Sequence, residues 1–251
     1  MKHVKIGKHD VEIYDSIEDL PMIRFHKYNK MLLIDGGIGS DLLDFDGHIE
    51  KAIAYSKSKN PQLGAIELEN LRQNIYFIQS ELSPKHLAFA VLVKSIDGVE
   101  QTDLSPEGLQ KILDHFSYVP QNEMTAQSEA VKKKIDEELQ LYYPKLFEDS
   151  TVKEYYDELR KRNLLVLQSI IEGETPELEK EIELITISLI TYNNPMVFNG
   201  SENAEIQHNK NFEDMSLLIA QHLHLDPKKF TVLEFYSSFE RVKEMLKPKK
   251  Q

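Results

Sequence analysis

Ser83-Pro84-Lys85-His86-Leu87-Ala88-Phe89-Ala90-Val91-Leu92-Val93 is the stretch whose reading decides the fold. A hydroxyl residue followed by proline marks a helix start, because proline has no N–H to lose in the first turn and its φ is preset for a helix. From Leu87 to Val93 the run is apolar on every side. A helix without a polar face is one that other helices surround. Gly98 then reads as its stop. The centre of the molecule is therefore expected to be this helix.

The same punctuation recurs along the chain. Ser105-Pro106 opens a short helix to about Phe116, and Thr175-Pro176 opens one over 176–191. Thr231 with Glu234 makes a capping box for a helix over 232–246. Ser40 or Asp41 caps a helix to about Ser58, with Leu42, Phe45, Ile49, Ala52 and Ile53 as its expected buried stripe. Another helix covers about 64–82, with Ala65, Leu68, Leu71, Ile75, Ile78 and Leu82 facing inward. Helices over 123–142, 151–172 and 212–223 complete the set. The second of these carries Val152, Tyr155, Tyr156, Leu159, Val166, Leu167, Ile170 and Ile171 before Gly173.

Residues 21–35 admit two readings. Met31-Leu32-Leu33-Ile34 alone resembles a buried strand. Taken from Pro21, Met22, Phe25, Tyr28 and Leu32 recur at helical spacing, so a helix stopped by Gly36-Gly37 is favoured. Before it, Val4 and Ile6, the turn Gly7-Lys8-His9-Asp10, then Val11 and Ile13 alternate as a small hairpin. Asn193 to Lys210 has no period and reads as a long loop. The fold class expected is mainly α, about eight or nine helices in bundle-like packing with a small N-terminal β-hairpin. Ser117 to Thr125, around Pro120, is the expected boundary between an N-terminal unit, 1–117, and a C-terminal unit, 123–251, which ends in the helix pair 212–246.

Composition removes whole classes of function. The 251 residues carry a net charge of −12, which repels nucleic-acid phosphates on average. The one basic run, Lys247-Pro248-Lys249-Lys250, is short and terminal. There is no cysteine, so thiolate catalysis, disulfides and cysteine-held metals are excluded. No apolar run reaches membrane-spanning length and no signal-peptide core follows Met1. A soluble, cytoplasmic protein is expected.

The candidate chemistry is thin. Asp35-Gly36-Gly37-Ile38-Gly39-Ser40-Asp41 could cradle phosphate at a helix N-terminus. Leu42 stands where a dinucleotide fingerprint needs glycine, however, and the lysine of a P-loop is missing. Asp44, Asp46 and Glu50 lack the spacing of a calcium loop and fit acids in a first helical turn. The nine histidines show no zinc spacing; His222 and His224 lie two apart, and His208 falls in the long loop. Glu137-Glu138 and Glu177/Glu179 read as solvated faces. Tyr142-Tyr143 and Tyr155-Tyr156 fit core packing, with recognition as the alternative use. Asn163 interrupts the apolar stripe of helix 151–172, where a polar residue can fix register or partner choice. No catalytic, cofactor-binding or metal residue is assigned, and no cofactor.

The segment Phe212 to Leu246, through Asp226-Pro227-Lys228-Lys229-Phe230-Thr231-Val232-Leu233-Glu234-Phe235-Tyr236, resembles the C-terminal helical pair of phage tail-assembly proteins. Arg24-Phe25 to Asp41 and Ala88-Phe89-Ala90 to Asp97-Gly98 are similar to virion-associated proteins of tailed phages. Together they cover about a quarter of the chain. The resemblance implies a non-enzymatic helical protein that binds another virion component, in the host cytoplasm or the virion. Binding is expected through an apolar helical face or the 193–210 loop, with neither nucleic acid nor membrane as partner. The alternative is an enzyme or small-ligand binder whose site gathers dispersed carboxylates and histidines, with Gly36–Asp41 as the first place to look.

Overall fold

A computed structural model describes residues 1–80, 83–119, 121–144, 150–173 and 175–247, and the fold is mainly α. Leu82, Pro120 and the run Pro248-Lys249-Lys250 lie outside the described residues, as does the side chain of Val152. The chain opens with β1 (Lys2–Ile6) and β2 (His9–Ile13), the expected hairpin, turned at Gly7 with φ +57°. There follow α1 (Met22–Asn29), a π-helical stretch (Lys30–Asp35) and a single turn, α2 (Gly36–Ile38). Then come α3 (Leu42–Lys57), α4 (Leu63–Ser80) and α5 (Pro84–Leu92). After β3 (Val93–Ile96) and β4 (Val99–Glu100) the chain is helical again: α6 (Pro106–Asp114), α7 (Gln121–Tyr142), α8 (Ser150–Glu172) and α9 (Pro176–Ile190). The last elements are α10 (Ala204–Leu223) and α11 (Val232–Leu246).

Helix α5 is the centre, as its sequence requires. Ala88 to Val93 are wholly buried, and α1, α6 and α7 all pack on α5. The core takes residues from both sides of Ser117–Thr125: Phe89, Leu109 and Phe116 before it, Val131, Ile135, Ile219 and Phe235 after it. The last helix pair is stitched to the entry of α1 by backbone bonds. Met22 N–H donates to Phe230 O at 2.8 Å, Val232 N–H to Leu20 O at 2.9 Å, and Leu233 N–H to Ile17 O at 3.0 Å.

Several expectations need correction. Val93 does not end a helix that Gly98 stops. Val93–Ile96 is a strand paired antiparallel with β2, and Asp97 (φ +50°) and Gly98 (φ +80°) turn it into β4. The sheet thus has four strands in the order β1-β2-β3-β4. An Asp-Gly pair with both φ positive is the favoured two-residue hairpin turn. Arg24 locks this corner. Buried, it donates to Val91 O (2.7 Å), Val93 O (3.1 Å) and Gln101 O, satisfying carbonyls at the C-terminal end of α5, where a cation suits the helix dipole.

Gly36-Gly37 does not stop the helix from Pro21. The backbone widens into the π stretch, with Gly36 N–H reaching Met31 O, and continues to Ile38; Gly39 (φ +73°) is the stop. A Cβ on Gly39 would lie 2.1 Å from the Asp44 carboxyl, so only glycine fits. The 193–210 loop is shorter than expected. Asn203 accepts from Glu205 N–H and Ile206 N–H and starts α10 at Ala204, eight residues before the expected 212. His208 therefore sits on a helix, not in a loop.

Four caps stand as read. Asp41 accepts from Leu43 and Asp44 N–H, Ser105 from Gly108 N–H, Thr175 from Leu178 N–H, and Thr231 with Glu234 forms the reciprocal box. Ser83 departs from the pattern: its position before Pro84 is right, but its hydroxyl makes no capping bond.

Candidate functional site

Three places combine polar groups, exposed apolar surface or an enclosed volume. The first is the α3–α4 pair, whose expected stripes are turned largely the wrong way. Leu42, Ile53, Leu68 and Ile75 face solvent. The faces in contact carry His48, Ala52 and Tyr55 from α3 and Gly64, Glu67, Asn70 and Asn74 from α4. Gly64 allows this closeness, since a Cβ there would stand 3.1 Å from Ala52 O. His48 Nδ1 lies 2.7 Å from Glu67 Oε2 and its Nε2 lies 2.8 Å from Ile38 O. Both ring nitrogens thus face oxygen atoms, an arrangement that favours the imidazolium. The bond to Glu67 raises the His48 pKa; burial opposes it, and the Ile38 carbonyl adds to the rise. Asn74 Nδ2 donates to the same carbonyl at 3.2 Å. The cluster is a clamp on the C-terminal end of α2, and an apolar stripe on the outer face gave the sequence no sign of it.

The second place is the arm formed by α8 and α9. Lys161 pairs with Glu181 at 2.9 Å, Arg162 Nε donates to Thr186 Oγ1 at 2.8 Å, and Ser188 Oγ donates to Glu158 at 2.7 Å. Polar bonds therefore zip the two helices. The arm meets the body through α9 and α3, where Lys57 pairs with Glu183 and Tyr55 Oη donates to Asn193 O. On the outside of α8, Leu164, Leu167, Ile170 (73% exposed) and Ile171 (81% exposed) meet water, as does Leu184 of α9. No described side chain of α8 is buried. Asn163 is exposed on the same helix, among Arg160, Leu164 and Leu167. At the base of the arm an open groove of about 730 Å³ runs between α8, α9 and α3, bordered by Glu50, Lys51, Tyr155, Arg162 and Tyr192.

The third place is a cavity of about 220 Å³ between the π stretch, the first turn of α5 and α7. Leu32, Leu33 and Gly36 line one side; Lys85, His86, Ser128, Glu129 and Lys132 line the other.

The residues singled out in the sequence are dispersed among these places. Gly36 reaches the cavity, whereas Gly37 to Asp41 only terminate one helix and cap the next: Ser40 N–H donates to Asp44 Oδ2 at 3.0 Å. Asp46 and Glu50 stay exposed on α3. His222 is exposed, and His224 takes a left-handed conformation (φ +55°) that closes α10. His208 stacks on His26 at 4.3 Å, and His26 on Phe212 at the same distance, a contact between distant segments that spacing could not announce. No group of three or more metal-binding side chains occurs among the described residues. Tyr143 joins the core side, donating to Leu233 O, while Tyr142 and Tyr156 are exposed; Tyr155 packs on Tyr192. No helix among the described residues is long and apolar enough to cross a membrane.

Compared with protein-family models, curated proteins and solved structures, the chain matches none.

Proposed function

We propose that the protein is a non-enzymatic protein–protein interaction factor that docks a partner on the α8–α9 arm. One observation carries this reading: Leu164, Leu167, Ile170 and Ile171 of α8 point to water on the side of the helix away from its polar bonds to α9. A helix stripe of this width is ordinarily the buried one. Its exposure in the single chain supports a partner that covers it, since grouped exposed apolar side chains mark interaction surfaces. Asn163 and Arg160 within that face supply polar discrimination between partners. The likeness of Phe212–Leu246 and Arg24–Asp41 to phage tail-assembly and virion-associated proteins supports tail or virion assembly as the setting.

The test is capture of the tagged full chain from its native setting, with mass spectrometry of what accompanies it. The wild type is run beside a Leu167→Ser, Ile170→Ser, Ile171→Ser variant. One component is expected in stoichiometric amount with the wild type and is expected to be lost with the variant. Recovery of the chain alone, or of the same component with both, contradicts the proposal.

A further inference from the structure

We infer that the cavity between the π stretch, α5 and α7 binds a small monocarboxylate with a short apolar body. This is a ligand site separate from the docking arm and independent of it.

The volume comes first. About 220 Å³ holds roughly seven non-hydrogen atoms at the ~30 Å³ each occupies in a liquid. Leu32 and Leu33 give one end of the space an apolar wall. They stand there because the π stretch widens the helix at that point, with Gly36 N–H bonded back to Met31 O. Single π turns of this kind recur at functional sites.

The opposite end is arranged for a negative charge. Helix α5 has nine residues and begins there without a side-chain cap: Ser83 makes no such bond, and of the first N–H groups only that of Leu87 is taken up, by Ser83 O. The N–H groups of Lys85 and His86 belong to that open first turn, which carries the positive end of the helix dipole. Lys85 contributes an ammonium from α5 and Lys132 a second from α7. Neither makes an ion pair among the described residues, although the protein is strongly acidic. Ser128 gives a second and independent sign of a ligand. It is 8% exposed, it lines the cavity, and its hydroxyl has no hydrogen-bond partner among the described residues. Its oxygen is open to the cavity and is a free donor for a bound oxyanion. Glu129 also lines the space. A single carboxylate against two ammonium groups, an imidazole and a helix start leaves the balance positive.

His86 serves as a reporter. Burial, and after it the Lys85 charge, lower its pKa below the ordinary imidazole value, so the ring is neutral at pH 7. A carboxylate beside it stabilises the imidazolium and moves that pKa upward.

The experiment titrates the full chain with pentanoate, followed by calorimetry and by NMR of the Lys85 and His86 amides and the His86 ring. Pentanol and inorganic phosphate are the comparison probes. Saturable pentanoate binding is expected, with shifts at Lys85, His86 and Ser128 and an upward move of the His86 pKa. Lys85→Gln with Lys132→Gln, both exposed and so neutral for folding, should weaken binding by about tenfold or more. Ser128→Ala should weaken it less. Pentanol and phosphate should each bind more weakly than pentanoate. Absence of saturable pentanoate binding overturns the assignment, as does binding that the double variant leaves unchanged. Phosphate binding as tight as pentanoate overturns its apolar half. None of these outcomes alters what is captured on the arm.

Discussion

Helices α5 and α8 are both rich in aliphatic side chains, and the molecule treats them oppositely. In α5, Ala88 to Leu92 have no exposed surface, because α1, α6 and α7 pack around them. In α8, Leu164, Leu167, Ile170 and Ile171 are exposed, and the element packed along it is α9, to which polar bonds join it on the other side. An apolar stripe states that something must cover it, but not whether the cover is in the same chain. For α5 the cover is internal. For α8 it is external in our proposal, and that difference is where function enters the fold.

The contrast can be broken most forcefully at its buried end. Phe89→Ala removes a wholly buried ring from α5 and is expected to destabilise the protein by about 3–5 kcal/mol in a urea or thermal melt. Ile171→Ala on the arm is expected to change the same melt by less than about 0.5 kcal/mol. Comparable losses at the two sites would show that the arm is covered within the chain after all. Next in size is Arg24→Ala. It strips donors from the carbonyls of Val91, Val93 and Gln101 at the corner of α5 and β3, and is expected to cost about 1–3 kcal/mol.

A pH experiment sharpens the contrast from the side of α3 and α4, whose interior is polar. The folded pKa of His48 is raised, chiefly by Glu67. Stability from this pair is fully present below the unfolded histidine value of about 6.5 and is lost as pH rises through the raised folded value. Melts across that window should show a decline in the wild type. The decline should be absent in His48→Gln, whose amide cannot titrate. An unchanged decline in that variant would place the titrating group elsewhere. Among the variants inside the fold the smallest effect belongs to Gly64→Ala, where the new methyl presses on Ala52 O at 3.1 Å. A loss of roughly 1 kcal/mol is expected, at the low end of overpacking costs.

Four helix starts were legible because caps are local chemistry: Asp41, Ser105, Thr175 and Thr231 each act on an N–H two or three residues away, whereas the equally local Asn203 cap of α10 was hidden among the other polar residues of its segment. Strand β3 was not, because Val93 continues the apolar run of α5 without a break; Asp97-Gly98 was the available signal, and it read equally well as a helix stop. The π stretch is likewise hidden, since Met31, Leu32, Leu33 and Ile34 have the same composition in a strand, an α-helix or a π turn. The faces of α3 and α4 misled for a different reason. Reading apolar as inward fails where His48 pairs with Glu67, and His48 and Asn74 both bond to the Ile38 carbonyl. The cavity at α5 depends on Leu33, Lys85 and Ser128, which lie far apart in the chain and meet only once α5 is enclosed.

The central claim is that the arm is a docked surface. The decisive measurement is amide hydrogen exchange on the captured assembly beside the isolated chain. Added protection is predicted across Leu164 to Ile171 in the assembly, with α5 unchanged because its cover is already internal. Protection gained elsewhere while the α8 amides exchange as in the isolated chain would contradict the claim.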